Sequence, residues 1–320
     1  MTCLVTGGTG FAGSSLVRRL VEQGARPVVL SRTGQPGSLD GCGGFELRAC
    51  DLTDAARVVA EIRDIRPDRV YHLAARTFVP DSQASPVSFL DVNLRGTVNL
   101  LAAIAEHVPQ SRVLLVSSAG VYGASGRDGH PLVESDRLAP MDPYAASKAA
   151  AEMWAMQEQA RRGLHLVRVR PFGHIGPHQA PRFVAASFAS QLGRIRAGEQ
   201  PPIIEVGNLD AVREFNDVED IVAGHLAALE HGEPGEVYNL CSGQGHNIRE
   251  LLAQLMERSG VEAEIRIRSD RLRPADVPSL VGDPARAHDV LGWRTQVPFG
   301  DCLDRLLARW VVAGWPDIPA

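Results

Sequence analysis

Tyr144 and Lys148 stand four positions apart in the run Asp142-Pro143-Tyr144-Ala145-Ala146-Ser147-Lys148. On a helix this spacing puts both side chains on one face. A phenol is a poor acid near neutrality, with an ordinary pKa of about 10. A neighbouring ammonium favours the phenolate and makes proton transfer easier. Upstream, Ser117-Ser118-Ala119-Gly120-Val121-Tyr122-Gly123 follows an apolar run, and the Ser118 hydroxyl could hydrogen-bond a carbonyl oxygen undergoing reduction. Near the N-terminus, Thr6-Gly7-Gly8-Thr9-Gly10-Phe11-Ala12-Gly13 has the spacing G-x-x-G-x-x-G. Glycines between a strand and a helix let the backbone turn tightly and approach a ligand, while the helix N-terminus offers N–H groups and a positive dipole end to an anion. That is the chemistry of a dinucleotide pyrophosphate site. Taken singly, a Y-x-x-x-K pair or a Gly-rich turn occurs by accident. In this order, loop then serine then Tyr-Lys pair, they make a device that moves a proton while a nicotinamide moves a hydride.

The elements that must position these groups alternate in type from the start. Cys3-Leu4-Val5 reads as a buried strand, and Leu16, Val17, Leu20 and Val21 recur at helical spacing behind the glycines. Further strands are expected at 27–30, 45–49, 69–73, 112–116 and 164–168, with helices at 55–65, 89–107 and 144–162. The pattern predicts an α/β fold, a doubly wound Rossmann-type parallel sheet covered on both faces. Beyond Gly173 the character changes to Pro- and Gly-rich segments with helices near 182–196, 216–230 and 248–258. We expect a dinucleotide-binding domain over 1–172 and a smaller, mostly C-terminal α/β substrate part over 173–320, with the strand near 237–240 returning to the main sheet.

Composition narrows the class of function. The 320 residues are 44% hydrophobic and 22% charged, ordinary values for a globular enzyme, and the net charge of -5 argues against a general nucleic-acid or membrane-surface role. No run of 18 apolar residues is present, and no basic region followed by a hydrophobic core opens the chain. The five cysteines (Cys3, Cys42, Cys50, Cys241, Cys302) are scattered without a C-x-x-C, and the histidines form no H-E-x-x-H, so neither a disulfide framework nor a metal site is indicated. A reducing cytoplasm fits. His174 and His178 read as loop or packing residues.

The end of the second strand reads the adenosine ribose in dinucleotide folds: an acid there bonds the 2′-hydroxyl of NAD, whereas an Arg accommodates the 2′-phosphate of NADP. No acid lies between Glu22 and Asp40, and Arg32 stands at the position in question. The expected cofactor is NADP(H); a solvated surface Arg32 is the alternative.

These motifs resemble the extended short-chain dehydrogenase/reductase family, in its nucleotide-sugar-modifying branch. Gly207-Asn208-Leu209-Asp210-Ala211-Val212-Arg213-Glu214-Phe215, Leu272-Arg273-Pro274-Ala275-Asp276-Val277-Pro278 and His174-Ile175-Gly176-Pro177-His178-Gln179 are similar to segments of GDP-mannose 4,6-dehydratases and the related GDP-4-keto-6-deoxy-D-mannose reductases. The likeness covers nearly the whole chain. It implies that Gly7, Gly10, Phe11, Ala12, Gly13, Arg32, Asp51, Leu52, Leu73, Ala74, Ala75 and Asn93 bind the cofactor together with Tyr144 and Lys148. Asp51 could equally cap the following helix. Asn93 opens the family's N-x-x-G-T segment. The resemblance makes Ser118, Tyr144 and Lys148 catalytic, with Ser118, Tyr144, Asn208, Arg213, Arg273 and Asp276 on a nucleotide-diphosphate sugar. An Arg fork suits phosphate oxygens, although Arg213 and Arg273 could instead pair with Glu214 and Asp276 at the surface.

The dehydratases carry acids just after the catalytic hydroxyl. Ala119 and Gly120 stand there here, which argues against dehydration and for reduction of a C4 ketone, most simply on a GDP-linked 4-keto-6-deoxy sugar. A nucleotide-sugar 4-epimerase retaining NAD is the second reading, and a non-catalytic NADP(H)-sensing regulator a third. Two departures accompany the likeness. Gly173 stands where relatives carry Asn after the strand-six Arg-x-Phe, and the Ala119-Gly120 pair looks like an epimerase's. The resemblance also implies a homodimer through the helices near 89–107 and 144–162. The apolar stripe Leu90, Leu94, Val98, Leu101 and Ala105 would look the same on a monomer's core helix.

Overall fold

A computed structural model of the chain describes residues 1–272 and 277–310. The apolar runs become seven parallel strands of one sheet: β1 Cys3–Thr6, β2 Val28–Ser31, β3 Glu46–Ala49, β4 Arg69–His72, β5 Arg112–Val116, β6 His165–Pro171 and, much later in the chain, β11 Val237–Leu240. Their order is β11-β6-β5-β4-β1-β2-β3, so the succession of strands reverses between β1 and β4. Ligands of open α/β sheets bind at the carboxyl ends of strands flanking such a reversal. The Gly7 turn and the segment 73–76 after β4 are those two ends.

The strands β1, β2 and β11 are buried at every residue, as expected of a sheet covered on both faces. On one face lie helices α2 Ala55–Ile65, α5 Gly96–His107 and α6 Pro143–Arg162; Val58, Ile62, Leu100, Ile104 and Ala155 close that core with Leu4, Val70 and Val113. On the other face are α1 Phe11–Glu22, α8 Val218–His231 and α10 Ala285–Leu291, packed on Val5, Leu114, Val167 and Tyr238. Between β4 and α5 the chain makes two short helices, α3 Val79–Ala84 and α4 Pro86–Phe89.

The C-terminal lobe has its own core. Helices α7 Val184–Arg196, α9 Ile248–Ser259 and α11 Phe299–Ala308 enclose Phe188, Leu192, Leu251, Leu255, Leu303 and Leu307. Short strands complete it: β7 His174–Ile175 beside β10 Asn216–Asp217, β8 Ile203–Val206 beside β13 Glu264–Ile267, and β9 Val212–Arg213 held between β12 His246–Asn247 and β14 Ser279–Leu280.

Several boundaries differ from those expected, each for a local reason. The helix expected from Phe89 begins at Pro86 and contains a π-turn over Leu90–Arg95. There the Asn93 carbonyl accepts from the Thr97 hydroxyl (2.6 Å), while its side chain is engaged by the Arg76 backbone. The helix expected from Asn216 starts at Val218, because Asn216–Asp217 pairs with β7 and the Asp217 carboxylate caps the helix through Glu219 N–H (2.8 Å). Asp54, and not Asp51, caps α2, accepting from Arg57 N–H at 3.1 Å.

The continuous helical stretch Pro86–His107 has 22 residues and a mean hydropathy of 1.2, enough by length and composition alone to cross a membrane. In this fold it packs against α2 and α6.

Candidate active site

The glycine loop is shaped so that only glycine fits at its two ends. Gly7 has φ +72°, and a Cβ there would lie 2.6 Å from the Ala74 backbone nitrogen; a Cβ on Gly13 would lie 2.1 Å from the Gly7 carbonyl oxygen. The turn is thereby pressed against both α1 and the strand-four crossing. The first-turn amides of α1, those of Phe11, Ala12 and Gly13, have no helical carbonyl to donate to and face the space a diphosphate would take. This cradle fits a dinucleotide. Arg32 lies exposed just past β2, in a turn held by Gly34 N–H donating to Ser31 Oγ (3.0 Å). Beside it, Asp51 accepts from the Thr53 N–H (2.9 Å) and hydroxyl (2.8 Å); these bonds, with Arg32 nearby, hold its carboxyl below the usual range.

A directed chain of hydrogen bonds ties this cradle to the Tyr-Lys helix. Ala74 N–H donates to Thr6 Oγ1 (3.3 Å), and the Thr6 hydroxyl donates to His72 Nδ1 (2.7 Å) when the neutral ring carries its proton on Nε2. His72 Nε2–H then donates to Thr97 Oγ1 (2.8 Å), and Thr97 donates to the Asn93 carbonyl (2.6 Å). The Asn93 side-chain amide donates to the Arg76 carbonyl (3.0 Å) and to Ser147 Oγ (2.8 Å), and Ser147 donates to the Tyr144 carbonyl (2.7 Å). This sequence requires a neutral His72. Burial, with Lys148 near, pushes its pKa down to about 3. Asn93, expected on the cofactor, here joins the 73–76 crossing to the helix.

Tyr144 and Lys148 open α6, whose start Asp142 caps by accepting from Ala145 N–H (2.8 Å), with Pro143 in the first turn. Ser118 Oγ accepts from Gly120 N–H (3.1 Å) and lies beside Tyr144, where its hydroxyl favours the phenolate. The Phe89 ring stands edge-on to Tyr144, centroids 6.5 Å apart. Burial raises the Tyr144 phenol and the Ser118 hydrogen bond opposes that rise. Lys148 is 6% exposed; burial lowers it to about 8, with Glu152 acting in the other direction. Its ammonium does not point to the phenol as the motif suggested but donates to the Val116 carbonyl at the end of β5. A buried ammonium takes the acceptor within reach, and that carbonyl lies two residues before Ser118.

On the substrate side, Arg213 is half-buried on β9, its Nη1 donating to the Val212 carbonyl (2.7 Å). Asn208 is exposed and its Oδ1 accepts from Asp210 N–H (2.9 Å). Arg273 and Asp276 lie outside the described residues. Glu214, which the sequence offered as a surface partner of Arg213, is fully buried. It accepts from Gly282 N–H (2.8 Å), Ser242 N–H (2.6 Å), Ser242 Oγ (2.9 Å) and Asn216 Nδ2 (3.3 Å), tying three loops behind β9. Burial raises its carboxyl and these donors oppose the rise.

The Gly173 departure has a steric cause. A Cβ there would lie 2.1 Å from the Glu214 carbonyl oxygen, and the Gly173 carbonyl accepts both the backbone and side-chain N–H of Asn216 (2.9 Å each). The larger residue of relatives does not fit this backbone. His174 packs its ring on Phe11, centroids 5.9 Å apart, and His178 is exposed with φ +70°. Among the described residues no group of three or more His, Cys, Asp or Glu could hold a metal ion.

Sequence reasoning gave no part to His72, Glu152 or the Arg pair on β6, quoted Thr6 and Thr97 only within motifs, and put Glu214 at the surface. One signal was available: Glu152 follows Lys148 by one helical turn.

Residues 4–306 match the family described as GDP-mannose 4,6 dehydratase. The chain is 41% identical over 244 residues to a GDP-6-deoxy-D-mannose reductase of Pseudomonas aeruginosa, covering 76% of this chain and 80% of the relative. It is 33% identical over 296 residues to a GDP-6-deoxy-D-talose 4-dehydrogenase of Aggregatibacter actinomycetemcomitans, covering 91% and 92%. Among solved structures, RMD from Pseudomonas aeruginosa complexed with NADPH superposes with a TM-score of 0.84 at 35% identity over 97% of this chain and 98% of that one. A Thermus thermophilus UDP-glucose 4-epimerase complexed with NAD gives 0.87 at 31% identity over 97% and 99%.

Proposed function

We propose, from the premise that this chain belongs to the GDP-mannose 4,6-dehydratase family within the extended short-chain dehydrogenases, that it is an NADPH-dependent reductase. Its substrate on this reading is the C4 ketone of a nucleotide-linked, most simply GDP-linked, 4-keto-6-deoxy sugar. The observation that carries the reading is a glycine cradle tied by hydrogen bonds through His72, Thr97 and Asn93 to the helix that bears Tyr144 and Lys148, with Ser118 beside Tyr144 and Ala119 and Gly120 in place of acids after the serine. The similarity to the Pseudomonas reductase supports the sugar and the base.

When bound, NADPH supplies a hydride. Gly7, Gly10, Phe11, Ala12 and Gly13 would hold its diphosphate, Arg32 its 2′-phosphate, and Asp51, Leu52 and 73–75 its adenosine end. The hydroxyl of Ser118 orients the ketone oxygen, and Tyr144 delivers its proton to that oxygen as the carbon is reduced. A phenol kept protonated by burial is suited to act as acid in this direction. Lys148, which here donates to the Val116 carbonyl, would bond a ribose hydroxyl of the cofactor and supply the proton that returns the phenolate to its acid form. Asn208 and Arg213, with Arg273 and Asp276, would engage the diphosphate and nucleoside. Ala119 and Gly120 have no side chain able to remove a substrate proton, which supports reduction over dehydration. Arg32 in place of an acid weighs against a 4-epimerase that retains NAD.

We divide the chain functionally into 1–172 for the cofactor and 173–320 for the sugar nucleotide. Val87, Leu90, Met153, Trp154 and Met156 are large apolar residues left exposed on the 86–95 segment and α6, which supports a homodimer through these helices. Five free cysteines, four of them buried, suit a reducing cytoplasm.

The test is incubation with NADPH and a panel of GDP-, dTDP-, UDP- and CDP-4-keto-6-deoxyhexoses, with product NMR. NADPH consumption coupled to a new C4 carbinol is expected, and Tyr144→Phe should lower the rate by roughly 10²-fold or more. No turnover across the panel, or NAD retained on purification with C4 epimer exchange, refutes it.

A further inference from the structure

Lys148 is the only lysine in the chain, and the charges behind it are arranged in an unusual way. One turn further along α6, Glu152 is fully buried. Both of its oxygens are engaged by arginines from β6 that are themselves 4–5% exposed. Arg170 approaches through Nε at 3.2 Å from each oxygen and through Nη2 at 2.5 Å; Arg168 Nη1 adds a bond of 3.2 Å. Arg170 is fixed further by donating to the Tyr122 hydroxyl (2.8 Å) and the Glu134 carbonyl (2.9 Å), and Tyr122 donates to Asn239 Oδ1 (2.7 Å). Arg168 Nη2 donates to the Gly235 carbonyl (2.5 Å).

One buried carboxylate is thus shared by two guanidiniums beside a third buried cation. The group facing Lys148 from β4, His72, is neutral, and Val116 of β5 offers a carbonyl; the Tyr144 phenol on the same helix is kept protonated by burial. Beyond the arginines, Tyr122 is held neutral by burial and the Glu134 carboxylate accepts from Asn239 N–H (2.7 Å). Charges buried together interact strongly, and desolvating an ammonium disfavours its charged form. Glu152 opposes that cost, and the positive charges of the two arginines bound to it offset part of its field at Lys148.

We propose that Glu152, Arg168 and Arg170 are positioning residues that act through Lys148: the shared carboxylate sets the pH at which the lysine gives up its proton, and with it the upper pH limit of reduction. The second half of that statement rests on the catalytic reading of Lys148 given above; the first does not. Glu152 strengthens the hold of Lys148 on its proton, and each arginine offsets that effect with its own positive charge beside the carboxylate. Removing Glu152 and removing an arginine therefore move the lysine in opposite directions, which loss of packing cannot do.

The single lysine makes the test direct. Protein labelled with ¹³Cε-lysine gives one side-chain signal, whose pH titration reads Lys148 without any substrate. Glu152→Gln is expected to lower its midpoint by about one pH unit. Arg168→Gln is expected to raise it, and the double variant to return towards wild type. Should Glu152→Gln fail to fold, the upward shift in Arg168→Gln decides alone. Midpoints that coincide with wild type, or that move in the same direction, overturn the proposal. The alkaline limb of kcat/KM for NADPH-dependent reduction is measured on the same proteins and should follow the midpoint. If the midpoint moves and the limb does not, the cluster stands and the catalytic role of Lys148 falls.

Discussion

His225 offers a prediction whose size follows from its surroundings. It lies on the inner face of α8, 1% exposed, and neither ring nitrogen has a partner among the described residues. Burial, with His174 close by, pushes its pKa down to about 3. The unfolded chain takes up a proton near the ordinary value of about 6.5. Between those values the unfolded state binds the extra proton, so stability is lost as pH falls. With one pKa unit worth about 1.4 kcal/mol, the loss from this group is ~0.2 kcal/mol at pH 7 and ~2 kcal/mol at pH 5. His225→Leu removes the titration together with two unsatisfied polar atoms and places a good helix former in a core. The variant should therefore be at least as stable as wild type near neutrality and gain about 2 kcal/mol on it by about pH 5. Urea unfolding followed by circular dichroism at several pH values measures this. His72→Leu is the matched comparison: it removes a similar acid liability but breaks the bonds to Thr6 and Thr97, so it should be the less stable protein at neutrality. An unchanged gap between wild type and His225→Leu at the two pH values would refute the reasoning.

Three further outcomes are expected. Arg32→Asp should reverse the NADPH-to-NADH preference in kcat/KM by tenfold or more, on the order of one charge-assisted phosphate contact, and an unchanged ratio would remove Arg32 from the cofactor site. Gly173→Asn should destabilise the protein by roughly 1–3 kcal/mol in urea, since its Cβ must displace the Glu214 carbonyl 2.1 Å away; wild-type stability would mean that the two segments do not approach as described. Trp154→Asp combined with Met153→Asp should abolish the proposed dimer and leave a light-scattering mass of one chain, 34.5 kDa; a mass of one chain in the wild type would dispose of the pairing.

Local pattern carried much of this protein. The strand–glycine–helix opening, the alternation that makes a parallel sheet and the family resemblance were all legible in the sequence, because strand and helix periods and the sterics of Gly7 and Gly13 are written in adjacent residues. So was the order of Ser118, Tyr144 and Lys148 that makes them candidates. Boundaries were less legible where a side chain answers to a distant backbone, as when Asn93 bonds Arg76 and the helix takes a π-turn.

What only the tertiary structure decided is how charge and hydrogen bonding are distributed behind the motif. Glu152 meets Arg168 and Arg170 across 16 and 18 residues, Thr6 meets His72 across 66, and Glu214 meets Gly282 across 68. Nothing in the spacing of those residues signals the partner. The pairing is fixed by the lateral register of β1, β4 and β6 and by loops closing over their ends. Once buried there, each polar group must find its complement or bear the full cost of leaving water. The same closure gives Gly173 its meaning: a residue that reads as a missing amide is the one that fits beneath the Glu214 carbonyl.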